Sequence, residues 1–185
     1  MQPMITGVRD LMDEHVIDPD GIETIDIETF SEAATILGGE EKWSTELTRE
    51  SADHSIPYTT ALAIIYGDVS PYHYDEEYRT DPKLHDLMDR VRVRESESMN
   101  TAAAEQPDST PSVIRMTVNG TTYETRVDYA PGHAKNPFST EVLEDKVREL
   151  VTPLLTEREF GVVQDFCSTV DEQDSVRPLL RAIKV

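Results

Sequence analysis

The chain is 185 residues long, enough for one ordinary domain or a domain with an appendage. Hydrophobic residues make up 37%, a low share that still supports a core, and 17 Lys and Arg stand against 37 Asp and Glu, a net charge of −20. That balance excludes nucleic acid and anionic membrane surfaces as partners, because phosphate binding needs clustered cations.

Residues 1–16 place Ile5, Val8, Leu11, Met12 and Val16 at helical spacing, an apolar face that begins at once without a cap motif. Asp18-Pro19-Asp20-Gly21 predicts a turn. Residues 22–30 then alternate, with Ile25, Ile27 and Thr29 on one side and Thr24, Asp26 and Glu28 on the other, as in a half-buried strand. Residues 31–37 form a short helix closed by Gly38-Gly39. Residues 40–50 are polar, and Trp43 is expected to anchor them to the body.

Residues 51–67, SADHSIPYTTALAIIYG, hold the densest chemistry. Ser55 is a credible N-cap and Pro57 suits the first helical turn. The helix that follows is apolar nearly all round, which predicts burial rather than a surface position. A loop with Tyr72, His73, Tyr74 and the acids Asp75, Glu76 and Glu77 comes next. Asp81-Pro82 then opens a helix with Leu84, Leu87, Met88 and Val91 inward, and residues 91–94 alternate as a short strand.

Residues 95–111 lack periodicity and read as a flexible loop. Asn119-Gly120 marks a two-residue type I′ hairpin with Ile114, Met116 and Val118 on the face of Tyr123, Thr125 and Val127. A two-proline connector leads to three closing helices. Ser139 caps the first, and Thr156 with Glu159 makes a capping box for the second. The single cysteine, Cys167, excludes an intrachain disulfide, fits a reducing compartment and reads as a buried small hydrophobe beside Phe160, Val163 and Val170. The fold class is α+β, a small mixed or antiparallel sheet of about four strands with packed helices. An α+β domain over residues 1–135 is followed by a helical segment over 136–185, whose apolar faces need a further surface to cover them. No apolar run approaches the ~20 residues of a membrane span and no secretion signal is visible, so a cytoplasmic protein is expected.

On residue chemistry alone, Tyr58 is either a core tyrosine with a satisfied hydroxyl or a donor to a substrate carboxylate. His54 is a site residue or a supporting one, and Asp53 is structural. His73 and His85 with Asp75 and Glu76 have no compact metal-ligand spacing, and a solvated surface explains them better.

The segment Asp53-His54-Ser55-Ile56-Pro57-Tyr58, its apolar helix and Gly67 resemble the MmgE/PrpD family, which includes 2-methylcitrate dehydratase and cis-aconitate decarboxylase. Residues 11–29, Asp81-Pro82 through Val93, Gly132-His133, and Asn136-Pro137-Phe138-Ser139 with the helix through Leu150 resemble the same family in order. The resemblance covers essentially the whole chain, least over residues 95–111. It implies a lyase with a large helical domain bearing most catalytic groups and a smaller α+β lid, with the closing helices returning to the helical domain. It implies no metal and no cofactor, propionate metabolism, and dehydration of a 2-methylcitrate-like acid, with decarboxylation or epimerisation as close alternatives. Tyr58, with His54 beside it in the motif, is then the expected catalytic residue. On residue chemistry Ser55, His133 and Lys135 are candidate substrate contacts, against a helix cap for Ser55 and, as the favoured reading, a loop packed on the helices for His133 and Lys135. Family members are much longer, so the chain is expected to be the lid and C-terminal part of such an enzyme, truncated or split from a helical partner chain. Self-association as a dimer is also expected, and a catalytically silent module that binds a helical partner is the competing reading.

The acidic, Lys-poor composition resembles that of proteins from salt-loving cytoplasms, where salt screens self-repulsion. Unfolding midpoints are therefore expected to rise from low to molar salt, and a flat profile would remove this reading.

Overall fold

The computed structural model describes residues 1–183. The chain divides into two compact units, Met1–Asn136 and a second that begins at Pro137. The first contains helices α1 (Gln2–His15), α2 (Ser31–Leu37), α3 (Arg49–Asp53), α4 (Ile56–Tyr66), α5 (Glu76–Arg79), α6 (Pro82–Met88) and α7 (Glu97–Glu105), and strands β1 (Ile22–Thr29), β2 (Val91–Glu95), β3 (Ser112–Val118) and β4 (Thr121–Val127). The second contains α8 (Thr140–Val151), α9 (Glu157–Ser168) and α10 (Arg177–Ala182). The fold is mixed α+β.

The sheet order is β2-β1-β3-β4, with β2 parallel to β1 and the other pairs antiparallel. Asn119 and Gly120 both have positive φ, 49° and 78°, as a type I′ turn requires. The turn sets Met116 opposite Tyr123 and Ile114 opposite Thr125. A bulge between Ile22 and Thr24 lets Ile22 and Ile25, three residues apart, face the same core.

One sheet face, formed by Ile22, Ile25, Ile27, Val91, Ile114, Met116 and Val118, is buried in the core. Helix α1 lies on β3 and β4, and α4 packs against α1, α6 and β2. At Gly7 the approach of α1 is close enough that a Cβ would stand 2.5 Å from Ile114 Cδ1. Every residue of α4 from Ile56 to Ile64 is buried, as expected for a helix with no polar face. The other sheet face is a charged ladder. Glu28 joins Arg94 at 2.7 Å and Arg115 at 2.9 Å, and Arg115 continues to Glu124 at 2.5 Å. The hydrogen bond from Arg94, with Arg115 beside it, lowers the Glu28 pKa. Exposed pairs of this kind add little stability each.

Residues 95–111 depart from the expected flexible loop, since Glu97–Glu105 is a helix. Ser96 accepts from the Met99 N–H, Met99 is buried, and Asn100 Oδ1 accepts from the Ser31 N–H at 2.7 Å. A helix held by one apolar side chain and one amide has no hydrophobic period to read. Trp43 anchors its segment as expected, donating from Nε1 to the Met88 carbonyl at 3.0 Å.

In the second unit the predicted caps are present: Ser139 accepts from Val142 N–H, and Thr156 and Glu159 close a capping box. The expected inward faces are only partly covered. Phe160 and Phe166 are buried, but Leu143, Leu150, Leu154, Val170 and Leu180 are exposed, and Cys167 is exposed rather than buried.

Ile114 sits where the sheet meets α1, so Ile114→Ala is expected to cost about 3 kcal/mol in denaturant unfolding. The Thr60 hydroxyl is buried without a hydrogen-bond partner among the described residues. Thr60→Val is therefore expected to leave stability unchanged or raise it by up to about 1 kcal/mol, and a loss of that size would show the hydroxyl to be engaged.

Candidate functional site

Residues at the start of α4 are positioned by the helix cap. Ser55 Oγ accepts from the Tyr58 N–H at 3.1 Å and donates to the Lys42 carbonyl at 2.9 Å. Thr59 returns a hydrogen bond to the Ser55 carbonyl at 2.8 Å. Ser55, read from sequence as a substrate contact, is buried and spends its hydroxyl on the fold.

Tyr58 is fully buried, and its O–H donates to the His73 carbonyl at 2.6 Å. Its ring lies 6.0 Å from that of Tyr74. Burial, with Tyr74 adding, pushes its pKa far above the ordinary tyrosine value. Burial, with the charge of Asp53 adding, pushes Tyr74 up to about 12. Both phenols therefore stay protonated at neutral pH, and Tyr58 is a hydrogen-bond donor rather than a base.

His54, one residue past the end of α3, is exposed. Its Nδ1 lies against the Asp53 carboxylate and 3.1 Å from the Glu50 carbonyl. Its other ring nitrogen leaves it the capacity to exchange a proton with a ligand. His73, read from sequence as part of a solvated surface, is instead half-buried between aromatic rings, 4.7 Å from Tyr66 and 5.0 Å from Tyr78. The surrounding stretch is folded into a 3-10 turn, Pro71–Tyr74, followed by α5.

His133 and Lys135 are brought together elsewhere, on the turn after β4. Gly132 has φ 94°, and His133 bridges to Asn136 across the turn. The His133 ring lies 4.7 Å from that of Tyr129, and Lys135 Nζ donates to Tyr129 Oη at 2.8 Å. Tyr129 in turn donates to Gln106 Oε1 on the strand side of α7. The hydrogen bond to Tyr129, with Asp108 nearby, raises the Lys135 pKa. A cleft of about 360 Å³ is lined by Thr6, Asp10, Arg126, Tyr129, Lys135 and Asn136. A second, of about 460 Å³, includes Gln2, Asp108, Thr110 and His133 in its lining. Tyr58, His54 and Ser55 line neither cleft.

The five sequence-predicted residues thus fall into two groups, an aromatic one around Tyr58 and a polar one around Lys135. The second offers Arg126 and Lys135 to a carboxylate, with Asp10, Asp108 and Asp128 tempering their charge. Sequence reasoning did not single out Tyr129, Asn136 or Gln106 as site residues, Asn136 entering only through its motif. The first two flank the Pro131-Gly132 turn and were within reach of a local reading. Gln106 was not, because its partner is 23 residues away. Among the described residues no cluster of His, Cys, Asp and Glu is gathered for a metal ion.

Comparisons with known proteins bear on the whole first unit and part of the second. The model for the MmgE/PrpD C-terminal domain matches residues 1–168. Alkylcitrate dehydratase phiI of Talaromyces stipitatus is 30% identical over 116 residues, which cover 59% of this chain and 24% of that protein. The chain therefore aligns with about a quarter of the length of that relative. Together with the ordered motifs around Tyr58, Asp81 and Asn136, the match shows that the chain belongs to the MmgE/PrpD family, whose C-terminal domain it corresponds to.

Proposed function

We propose that the chain is the lid and C-terminal portion of an MmgE/PrpD hydro-lyase that dehydrates a 2-methylcitrate-like tricarboxylic acid. The observation that carries this reading is the similarity to an alkylcitrate dehydratase, laid on a family match that spans most of the chain. The reaction removes a proton from the carbon beside a carboxylate and breaks the neighbouring C–O bond. Hydroxide leaves, takes up a proton as water, and a double bond conjugated with the carboxylate remains. The transition state needs a base, an acid for the departing oxygen, and cations that hold the carboxylates.

In this reading Tyr58 and His54 belong to the acid–base side, and His133 and Lys135 to the carboxylate side. The neutral, strongly held phenol of Tyr58 suits donation to the departing oxygen. His54, exposed beside Asp53, suits proton exchange. The remaining acid–base groups come from a helical partner chain or segment, which closes over this domain. The cytoplasm is the proposed compartment. No helix among the described residues is long and apolar enough to cross a membrane, which is compatible with that placement.

Two observations favour a second reading, a catalytically silent module that binds a helical partner. Tyr58 spends its hydroxyl within the chain, and Leu154 and Leu180 on the second unit are 72% and 67% exposed.

The test is an assay of the purified chain on 2-methylcitrate, with and without the product of a neighbouring gene encoding a helical domain, following the ultraviolet absorbance of the new conjugated double bond. The chain alone is expected to be inactive and the pair active, with Tyr58→Phe lowering kcat in the pair by about 10²-fold or more. Turnover by the isolated chain would overturn the division of labour. Binding without restored turnover would favour the silent module.

A further inference from the structure

The Tyr58 hydroxyl is held by a short segment of main chain, and a histidine side chain holds that segment in turn. Pro71–Tyr74 is a single 3-10 turn whose His73 meets α4 at both ends, the carbonyl at Tyr58 and the ring at Tyr66. Its amino end is closed reciprocally. Ser70 Oγ accepts from a backbone N–H of the turn, and the Ser70 N–H donates to His73 Nδ1 at 3.1 Å. The His73 N–H donates to the Ser70 carbonyl at 3.0 Å, and the His73 carbonyl accepts the Tyr58 O–H. One residue therefore both caps the turn and clamps the phenol.

Nδ1 accepts a hydrogen bond only through its lone pair, so the capping ring is the neutral tautomer with its proton on Nε2. Protonation puts a hydrogen on Nδ1, facing the Ser70 N–H. Two donors then oppose each other, and the side-chain arm of the cap is lost.

We propose that His73 is a positioning residue for Tyr58: its neutral ring keeps residues 70–74 strapped over the phenol, and its protonation releases the strap and uncovers the hydroxyl. This deepens the functional reading by stating how Tyr58 becomes available to a ligand. It stands on contacts of this chain alone.

Groups from four neighbouring helices face the turn and the His73 ring. From α3, Arg49 donates to the Pro71 carbonyl at 3.0 Å and pairs with Asp75 at 2.6 Å, holding the strap from outside and disfavouring a second cation. From α4, Tyr66 stacks on the ring, with Asp81 and Glu77 near its phenol. From α5, Tyr78 meets the ring edge-on and Arg79 donates to the Tyr74 carbonyl at 3.0 Å. From α6, His85 lies 2.8 Å from the Arg79 carbonyl. The strap is closed while the ring is neutral and its Nδ1 accepts from Ser70, and it opens when the ring takes up a second proton as pH falls.

The test is hydrogen–deuterium exchange of the whole chain, corrected for intrinsic rates, at about pH 5 and about pH 8, the range across which histidines change charge. Peptides spanning residues 68–75 are expected to lose protection about fivefold on the acid side, the size of one lost hydrogen bond. His73→Gln supplies an amide oxygen that accepts from Ser70 but does not titrate, so its protection is expected to be the same at both pH values. Flat exchange in the wild type, or an equal fall in His73→Gln, would overturn the proposal. An NMR titration of the His73 ring in the wild type serves as the second measurement. Its midpoint must coincide with the loss of protection, and separate midpoints would also overturn it. None of these readouts uses turnover, so failure here and failure of the lyase assay are distinguishable.

Discussion

Helix α4 is the constraint on which the first unit depends. It has no polar face to offer water, so every side of it must be covered, and the chain is arranged to do so. Helices α1 and α6 and strand β2 close around it, with the sheet core behind them. Its first turn brings polar groups into that core, whereas Thr60, just beyond it, has no partner for its hydroxyl among the described residues. In that turn each group is satisfied locally: Ser55 by Lys42 and Tyr58, Thr59 by Ser55, and Tyr58 by His73. A buried polar group left without a partner costs more than a hydrogen bond gains, which explains why this corner is so fully paired.

That pairing separates two sets of chemistry. In the aromatic set, Tyr58 is buried and has its hydroxyl committed. The polar set around Lys135 is open and lines a cleft. The family membership accounts for the presence of both on one α+β scaffold. Neither set alone contains the base, acid and multiple cations that dehydration of a tricarboxylate demands, which is why the proposed activity includes a helical partner.

Charge and apolar exposure act on the chain in opposite ways. Like charges spread over the surface repel one another and keep chains apart, while exposed Leu154, Val170 and Leu180 favour contact. Salt weakens the first effect and leaves the second, so the second unit is where ionic strength would most change association.

Much of the fold is legible in the sequence because its signals are local. Asn119-Gly120 fixes the hairpin register through the twist of a type I′ turn. Ser55, Asp81, Ser139 and Thr156 announce helix starts, and the unbroken apolar run after Pro57 announces a buried helix. The family, too, is carried by contiguous motifs. What tertiary structure alone decided is long-range. Helix α7 exists because Asn100 reaches Ser31 and Met99 finds a pocket, neither visible as a period. Cys167 is exposed although its spacing places it on the apolar stripe of α9. His73, a loop histidine by sequence, became the cap and clamp of Tyr58 because the chain folds back 15 residues to place its carbonyl on the phenol. Local preferences set which segments are helix or strand, but only packing determines which side chain ends beside which.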